Sequence, residues 1–438
     1  MSTQDDTGKA APVNTTKAAA TAETAVPGAA FDPRLLIREE GLKGYLTEFK
    51  RKVKGGELGS LPVVIGLIVI WGIFQGENSS FLTAGNLSSI LYYVAGTGLI
   101  SVGLVFVLLL GEIDLSVASV SGLCSAVFGV LAVNHGMNAW LATILALLTG
   151  AAIGALHGWF FAKIGVPAFV VTLAGNLAWN GLMIKVLGQS GSINLSAKGL
   201  FSFLGIGNSA FFMGADIAGG YLLAVLATAA MLISSLLERR RRVQAGVPAR
   251  PFSEILLRTG LLAVAVFLTA WVLNQSTGVP NSLVLFGVVL IVCDFVLRRT
   301  PFGRKIFAVG GNIEASRRAG ISVPAIRISV FAISGFFAAL GGLVLAAEQG
   351  AASTSAGSGN ALMLAIAAPV IGGTSLFGGR GRIWSALLGM LVIESITMGL
   401  NLLNMQSSVQ FMITGGVLLA AVVIDSVSRR TQKASGRA

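Results

Sequence analysis

The chain has 438 residues, of which 54% are hydrophobic and 11% charged, with a mean hydropathy of +0.81. Soluble domains carry roughly 25% charged residues, so this composition excludes a water-soluble globule and predicts an all-α, polytopic membrane helix bundle. A net charge of +12 would suggest a nucleic-acid partner for a soluble protein, but here the basic residues are distributed as orientation signals and no nucleic acid is expected.

Residues 1–33 are rich in Ala, Thr and Ser without periodicity and read as a disordered cytoplasmic tail. No apolar core follows a basic start, so a secretory signal is not expected. Residues 34–59, with Lys43, Lys50, Arg51, Lys52 and Lys54, read as a basic amphipathic segment on the cytoplasmic face. Twelve apolar segments follow, at 60–76, 87–110, 115–133, 138–161, 166–187, 219–237, 257–274, 281–297, 328–347, 361–376, 383–403 and 409–427. Leu87 to Leu110 holds no charge and exceeds the ~20 residues needed to cross hydrocarbon. Residues 60–427 are therefore the expected transmembrane domain and 428–438 a cytoplasmic tail. The Ser-rich segment 115–133 and the short segment 361–376 are full spans or re-entrant.

Lys and Arg concentrate on the cytoplasmic side of membrane proteins. With the N-terminus inside and sides alternating, 29 of the 31 Lys and Arg fall inside, leaving Lys185 and Lys198 outside. One missed or invented span would invert everything after it and destroy that asymmetry. Both termini are therefore expected in the cytoplasm. The run Arg239 to Arg242 lacks the interleaved aromatics of a nucleic-acid site and fits an orientation signal.

No phosphate loop of the form G-x-x-x-x-G-K-[ST] occurs, so the chain has no ATP site of that kind. His135 and His157, and Cys124 and Cys293, show no metal-ligand spacing. Catalytic residues, a metal and a cofactor are not expected. Ionisable residues within spans are functional suspects. Glu394, central in the eleventh segment, is a candidate for the substrate path or for a polar packing contact. Asp294 and Asp425 lie near inner ends, where Arg298 and Arg429 are at pairing distance in sequence. Thr172, Asn176 and Asn180 follow i, i+4, i+8 and line one helix face. Their donor and acceptor groups suit sugar hydroxyls, and Trp179 beside them could cover a pyranose ring. The alternative for all four is bonding between helices.

In the inner loop 298–327, Gly310 and Gly311 precede Asn312, which can cap a short helix. Glu314 and Ala315 start that helix, and Arg317 and Arg318 end it before Gly320, a charge order that favours the helix dipole. Such a helix outside the membrane suits docking on a partner. Two polar, Gly-bearing breaks echo each other on the inner side: Glu112, Asp114 and Ser116 after Gly111, and Gly372, Gly373, Thr374, Ser375, Gly378 and Gly379. They fit a parallel repeat or the ordinary form of a membrane turn.

The stretch Gly111 to Val117, the loop Phe302-Gly303-Arg304 through Gly310 to Ile321, and the run Ala365-Ile366-Ala367-Ala368 through Gly372 to Arg382 together resemble the ribose/xylose class of ABC sugar permeases. Their order and relative positions match across residues 80–427. The resemblance implies the permease subunit of an importer that carries a monosaccharide, a pentose such as xylose, across a bacterial inner membrane. It further implies a second permease copy or sister permease, a cytoplasmic ABC ATPase subunit in trans that engages residues 310–320, and an extracytoplasmic sugar-binding protein. Ribose-type members have one span where this chain has 219–237, 257–274 and 281–297; the added pair is similar to the xylose-type branch. Leu362, Met363 and Leu364 stand where the family often has an acidic residue, and Glu112 where it has Gly. Two rival readings are an ion-coupled secondary sugar carrier and a membrane-embedded transferase. The first needs buried carboxylates or histidines, and the second a polar catalytic cluster at one membrane face.

Overall fold

The structure, a computed structural model, describes residues 61–195, 211–215, 217–247, 249–357 and 359–434. The expected tail 1–33, the amphipathic segment 34–59 and residues 196–210 of the long loop lie outside the described residues.

The helices are α1 (Leu61–Glu77), α2 (Ala84–Leu109), α3 (Val117–Gly129), α4 (Ala139–Trp159), α5 (Ala168–Leu187), α6 (Ile217–Gln244), α7 (Phe252–Asn274), α8 (Asn281–Arg299), α9 (Pro301–Gly311), α10 (Ile313–Arg318), α11 (Val323–Gln349), α12 (Gly359–Ile371), α13 (Trp384–Leu402) and α14 (Ser407–Ala434). Strands β1 (Ser192–Asn194) and β2 (Ala351–Ser353) pair antiparallel, with Ile193 opposite Ala352. Among the described residues, ten helical segments are long and apolar enough to cross a membrane. They match the inner ten of the twelve expected segments. α1 and the apolar stretch Ser407–Ala420 of α14 match the outer two but are shorter.

Both segments that were open between span and re-entrant are among the ten. Each reaches full length by adding a distorted turn: the π turn Val130–Asn134 after α3, and the 3-10 turn Thr354–Gly357 before α12. α14 continues to Ala434, past the expected span end at 427.

α2 is the centre of the bundle. Every residue from Val94 to Leu109 is buried, the pattern of a helix that is apolar all round and enclosed by others. α11, α13, α12 and α8 surround it. α11 also packs along α4 through small residues. A Cβ at Gly150, Gly154 or Gly158 would strike the backbone of Gly335, Phe331 or Ile328 respectively. This i, i+4, i+8 spacing lets two backbones touch, which is how helices associate where lipid removes the hydrophobic drive. α1 leans on α13, where Trp71 Nε1 donates to Ser395 Oγ at 2.9 Å. α6 and α7 pack chiefly on each other, with α7 also resting on α2.

Candidate functional site

The three sequence motifs converge at one end of the bundle. Thr300 Oγ1 accepts from Gly303 N at 3.3 Å and starts α9, with Pro301 in its first turn. α9 is amphipathic: Gly303, Ile306 and Val309 are buried, whereas Arg304 and Lys305 are exposed. Asn312 leaves the helix in an extended conformation and its Oδ1 accepts from Ala315 N at 2.9 Å, capping α10. Glu314 and Arg317 pair at 3.1 Å on the exposed face of α10, while Ser316 faces inward. The short capped helix is therefore present as expected. α9, which precedes it, has no counterpart in the sequence reading.

The C-terminus of α9 meets the end of α2 and the loop after α12. Leu109 O accepts from Gly379 N at 2.9 Å. A Cβ on Gly310 would collide with Leu109 O, and one on Gly378 would lie 2.8 Å from both Gly111 N and Gly310 O. Gly111 (φ +79°) and Gly378 (φ +81°) also occupy the left-handed region, so glycine is needed there for conformation as well as space. Gly311 differs from its neighbour, since a Cβ there would meet nothing within 4 Å. The loop itself is tightly bonded. Thr374 N donates to Pro369 O at 2.8 Å, Ser375 N to Arg380 O at 3.0 Å, and the Thr374 and Ser385 hydroxyls lie 2.6 Å apart. Gly372 rests on the Ser385 backbone. Three loops from distant parts of the chain thus meet backbone to backbone.

Just behind this junction lies a buried polar chain. Asp114 Oδ1 accepts from Ser116 N (3.0 Å) and Ser116 Oγ (2.6 Å), and Oδ2 accepts from Ser334 Oγ on α11 (2.9 Å). Ser116 Oγ lies 3.2 Å from His157 Nδ1 on α4. Trp179 Nε1 on α5 donates to His157 Nε2 at 2.9 Å. An indole N–H can only donate, so Nε2 accepts and the ring proton sits on Nδ1, directed to Ser116. His157 is legible in the sequence only as a lone histidine near the end of a span, because its partners, Ser116 and Trp179, come from two distant elements.

Glu112 meets Arg327 at 3.8 Å, and that guanidinium lies 4.1 Å above the Phe161 ring. Burial pushes the Glu112 carboxyl above the usual carboxylate range, and the charge of Arg327 opposes the rise. Asp294 pairs with Arg298 at 2.8 Å, and the Asp425 side chain lies outside the described ones.

The α5 stripe divides. Thr172 is buried and donates to Ala168 O of its own helix at 2.9 Å. Trp179 is committed to His157 through its N–H. Asn176 and Asn180 are half-buried and make no side-chain hydrogen bond among the described residues. Glu394 is buried on α13, and within its electrostatic reach lies a second buried acid, Glu348 on α11. Glu348 Oε2 lies 3.3 Å from the position a Gly96 Cβ would take, and Oε1 is buried without a hydrogen-bond partner among the described residues. Glu348 escaped the sequence reading because it sits just past the expected end of its span, and a pair across two helices leaves no local spacing. Among the described residues, no group of three His, Cys, Asp or Glu could hold a metal.

The family profile described as branched-chain amino acid transport system / permease component matches residues 86–422. The xylose transport system permease protein of Escherichia coli is 37% identical over 86% of this chain and 94% of its own length. That of Haemophilus influenzae is 34% identical over 86% and 99%. The ribose import permease protein of Bacillus subtilis is 32% identical over 86% and 96%. No solved structure matches the chain.

Proposed function

The chain belongs to the branched-chain amino acid transport system / permease component family, and on that premise we propose that it is the membrane permease of an ATP-driven importer for a pentose such as xylose. The observation that carries the reading is the glycine junction. α9 and α10 form the helical element outside the long spans, and Gly310 fixes its end against Leu109 of α2 and against Gly378. A pull on α10 is therefore delivered to the central helix and to the α12–α13 loop without a slack linker between. The basic residues at this end favour the cytoplasmic side, where an ATPase subunit supplied in trans would engage α10. Closure of that subunit on ATP then biases the bundle between two states, the expected form of such coupling. A sugar-binding protein on the opposite face and a second permease copy or sister chain complete the importer. The pentose follows from the relatives, whose names specify xylose and ribose.

The test is uptake by proteoliposomes holding this chain with its ATPase and a sugar-binding protein. ATP-dependent uptake of xylose or ribose, indifferent to a proton gradient, is the expected result. Uptake that survives without ATP and collapses with the proton gradient would replace this reading with a secondary carrier. Uptake of leucine in place of pentose would reassign the cargo.

A further inference from the structure

We propose that His157 is a positioning residue whose neutral ring ties α5 to the glycine junction, so that movement of the α2 end reaches the Asn176–Asn180 face. The proposal rests on the permease reading above and deepens it. Gly111 belongs to the junction, and Asp114 and Ser116 follow it in the same turn. Ser334 holds the turn to α11, Ser116 holds it to His157 on α4, and His157 holds Trp179 on α5. Each bond joins a different pair of elements. The Trp179–His157 bond is the one side-chain hydrogen bond from α5 to another helix among the described residues. The outer face of α5, with Leu173 and Leu177, is exposed. Without the bond, α5 keeps only apolar packing, chiefly on α3.

The chain of bonds runs one way. Trp179 donates to Nε2, Nδ1–H donates to Ser116 Oγ, and Ser116 donates to Asp114 Oδ1. A proton added to Nε2 would set N–H against N–H and break the first link. The relay is therefore intact while the ring is neutral and is lost as pH falls through its titration. The groups that face the ring are Asp114 through Ser116, and Trp179. Of the other titratable groups on the elements around it, Arg327 of α11 is engaged by Glu112, Lys163 after α4 is exposed and Cys124 of α3 is buried. Gly175 completes the fit, since a Cβ there would collide with His157 Nε2.

The experiment measures xylose moved per ATP hydrolysed in proteoliposomes holding the full chain, its ATPase and the sugar-binding protein. Trp179→Phe, which keeps the ring and loses the donor, should lower the ratio about ten-fold, the scale of one lost buried hydrogen bond. His157→Leu and Gly175→Ala should act in the same direction. His157→Gln can accept from Trp179 and donate to Ser116 without taking a proton, and should hold the wild-type ratio. Acidifying the ATP-side buffer should lower the wild-type ratio and leave His157→Gln flat. An unchanged ratio in Trp179→Phe, or equal impairment in the Gln and Leu variants, overturns the relay while wild-type uptake stands. Wild-type protein that moves no xylose with ATP overturns the permease reading itself, and the relay with it.

Discussion

The most apolar 18-residue windows of α2 and of the Gly219–Gln244 stretch of α6 are equal in mean hydropathy, yet 83% of the first window and 11% of the second is buried within the chain. Hydropathy finds both and cannot tell the hub from the rim. Residue size can. α2 carries Gly96, Gly98 and Gly103 in its interior, each pressed by a neighbouring helix. α6 has glycine only at its start and presents Leu222, Leu226, Ile233 and Leu237 outward. In lipid, where apolar side chains gain nothing by leaving one hydrocarbon for another, close backbone packing marks the helix–helix seams. The α6–α7 pair thus adds span with little seam to the rest of the bundle, and the close backbone contacts gather where the glycines touch.

The largest effect should come at the junction, where backbones meet outside the spans. Gly310→Val drives a side chain into Leu109 O and the Gly379 amide. The overpacking costs about 3 kcal/mol, and ATP-driven uptake should fall on the order of 100-fold while the chain still inserts. Gly311→Val meets open space and should retain most of the uptake. Equal losses in the two variants would mean that the junction does not transmit force through contact.

A core-against-rim test comes next. Gly154→Leu on α4 would force Phe331 and α11 away, destabilising the detergent-solubilised protein by roughly 3 kcal/mol. Gly260→Leu on α7 has nothing within 4 Å and should leave thermal unfolding unchanged or raise the midpoint, because Leu favours helix over Gly by somewhat under 1 kcal/mol. A loss at Gly260 as large as at Gly154 would place an unseen partner on α7.

The buried acids give a smaller effect of opposite sign. Glu348 Oε1 is buried without a hydrogen-bond partner among the described residues, and a buried polar atom left unpaired is costly. Glu348→Gln should therefore stabilise the protein, by about 1 kcal/mol. A lowered melting temperature of the solubilised chain would show that the carboxyl makes a stabilising contact within the bundle.

How much of this was legible follows from range in sequence. The twelve apolar segments, the Asn312 cap and the polar breaks after α2 and α12 are local signals of period, capping and composition, and all appear in the structure. The contacts that make a site are not local. Gly111, Gly310 and Gly378 were each visible in a motif, but nothing in the spacing says that they touch. His157 looks idle in the sequence because its partners come from the turn before α3 and from α5. α9 was missed because its buried positions, Gly303, Ile306 and Val309, are few and stand among charged residues. The i, i+4, i+8 spacing on α5 predicts one surface, whereas Thr172 bonds its own helix and Trp179 bonds α4.

That division sharpens what Asn176 and Asn180 can do. If they served packing, each amide would bond a neighbouring helix, and replacement by Leu would cost stability. Neither does so among the described residues, so there is no such bond to lose. An amide left toward lipid would be unfavourable by at least ~1 kcal/mol, which favours a wet face or a face covered in the assembled importer. Asn176→Leu and Asn180→Leu should therefore change thermal stability by no more than about 0.5 kcal/mol. Uptake per assembled complex should fall several-fold, on the order of one or two lost hydrogen bonds to a sugar hydroxyl. The drop should grow in the double variant, because two contacts one helical turn apart would serve one passing ligand. Trp179→Phe would lower sugar moved per ATP through the relay, whereas these two variants should lower uptake and ATP consumption together. Normal uptake per complex in both Asn variants would remove α5 from the sugar path and leave it as a wall held by His157.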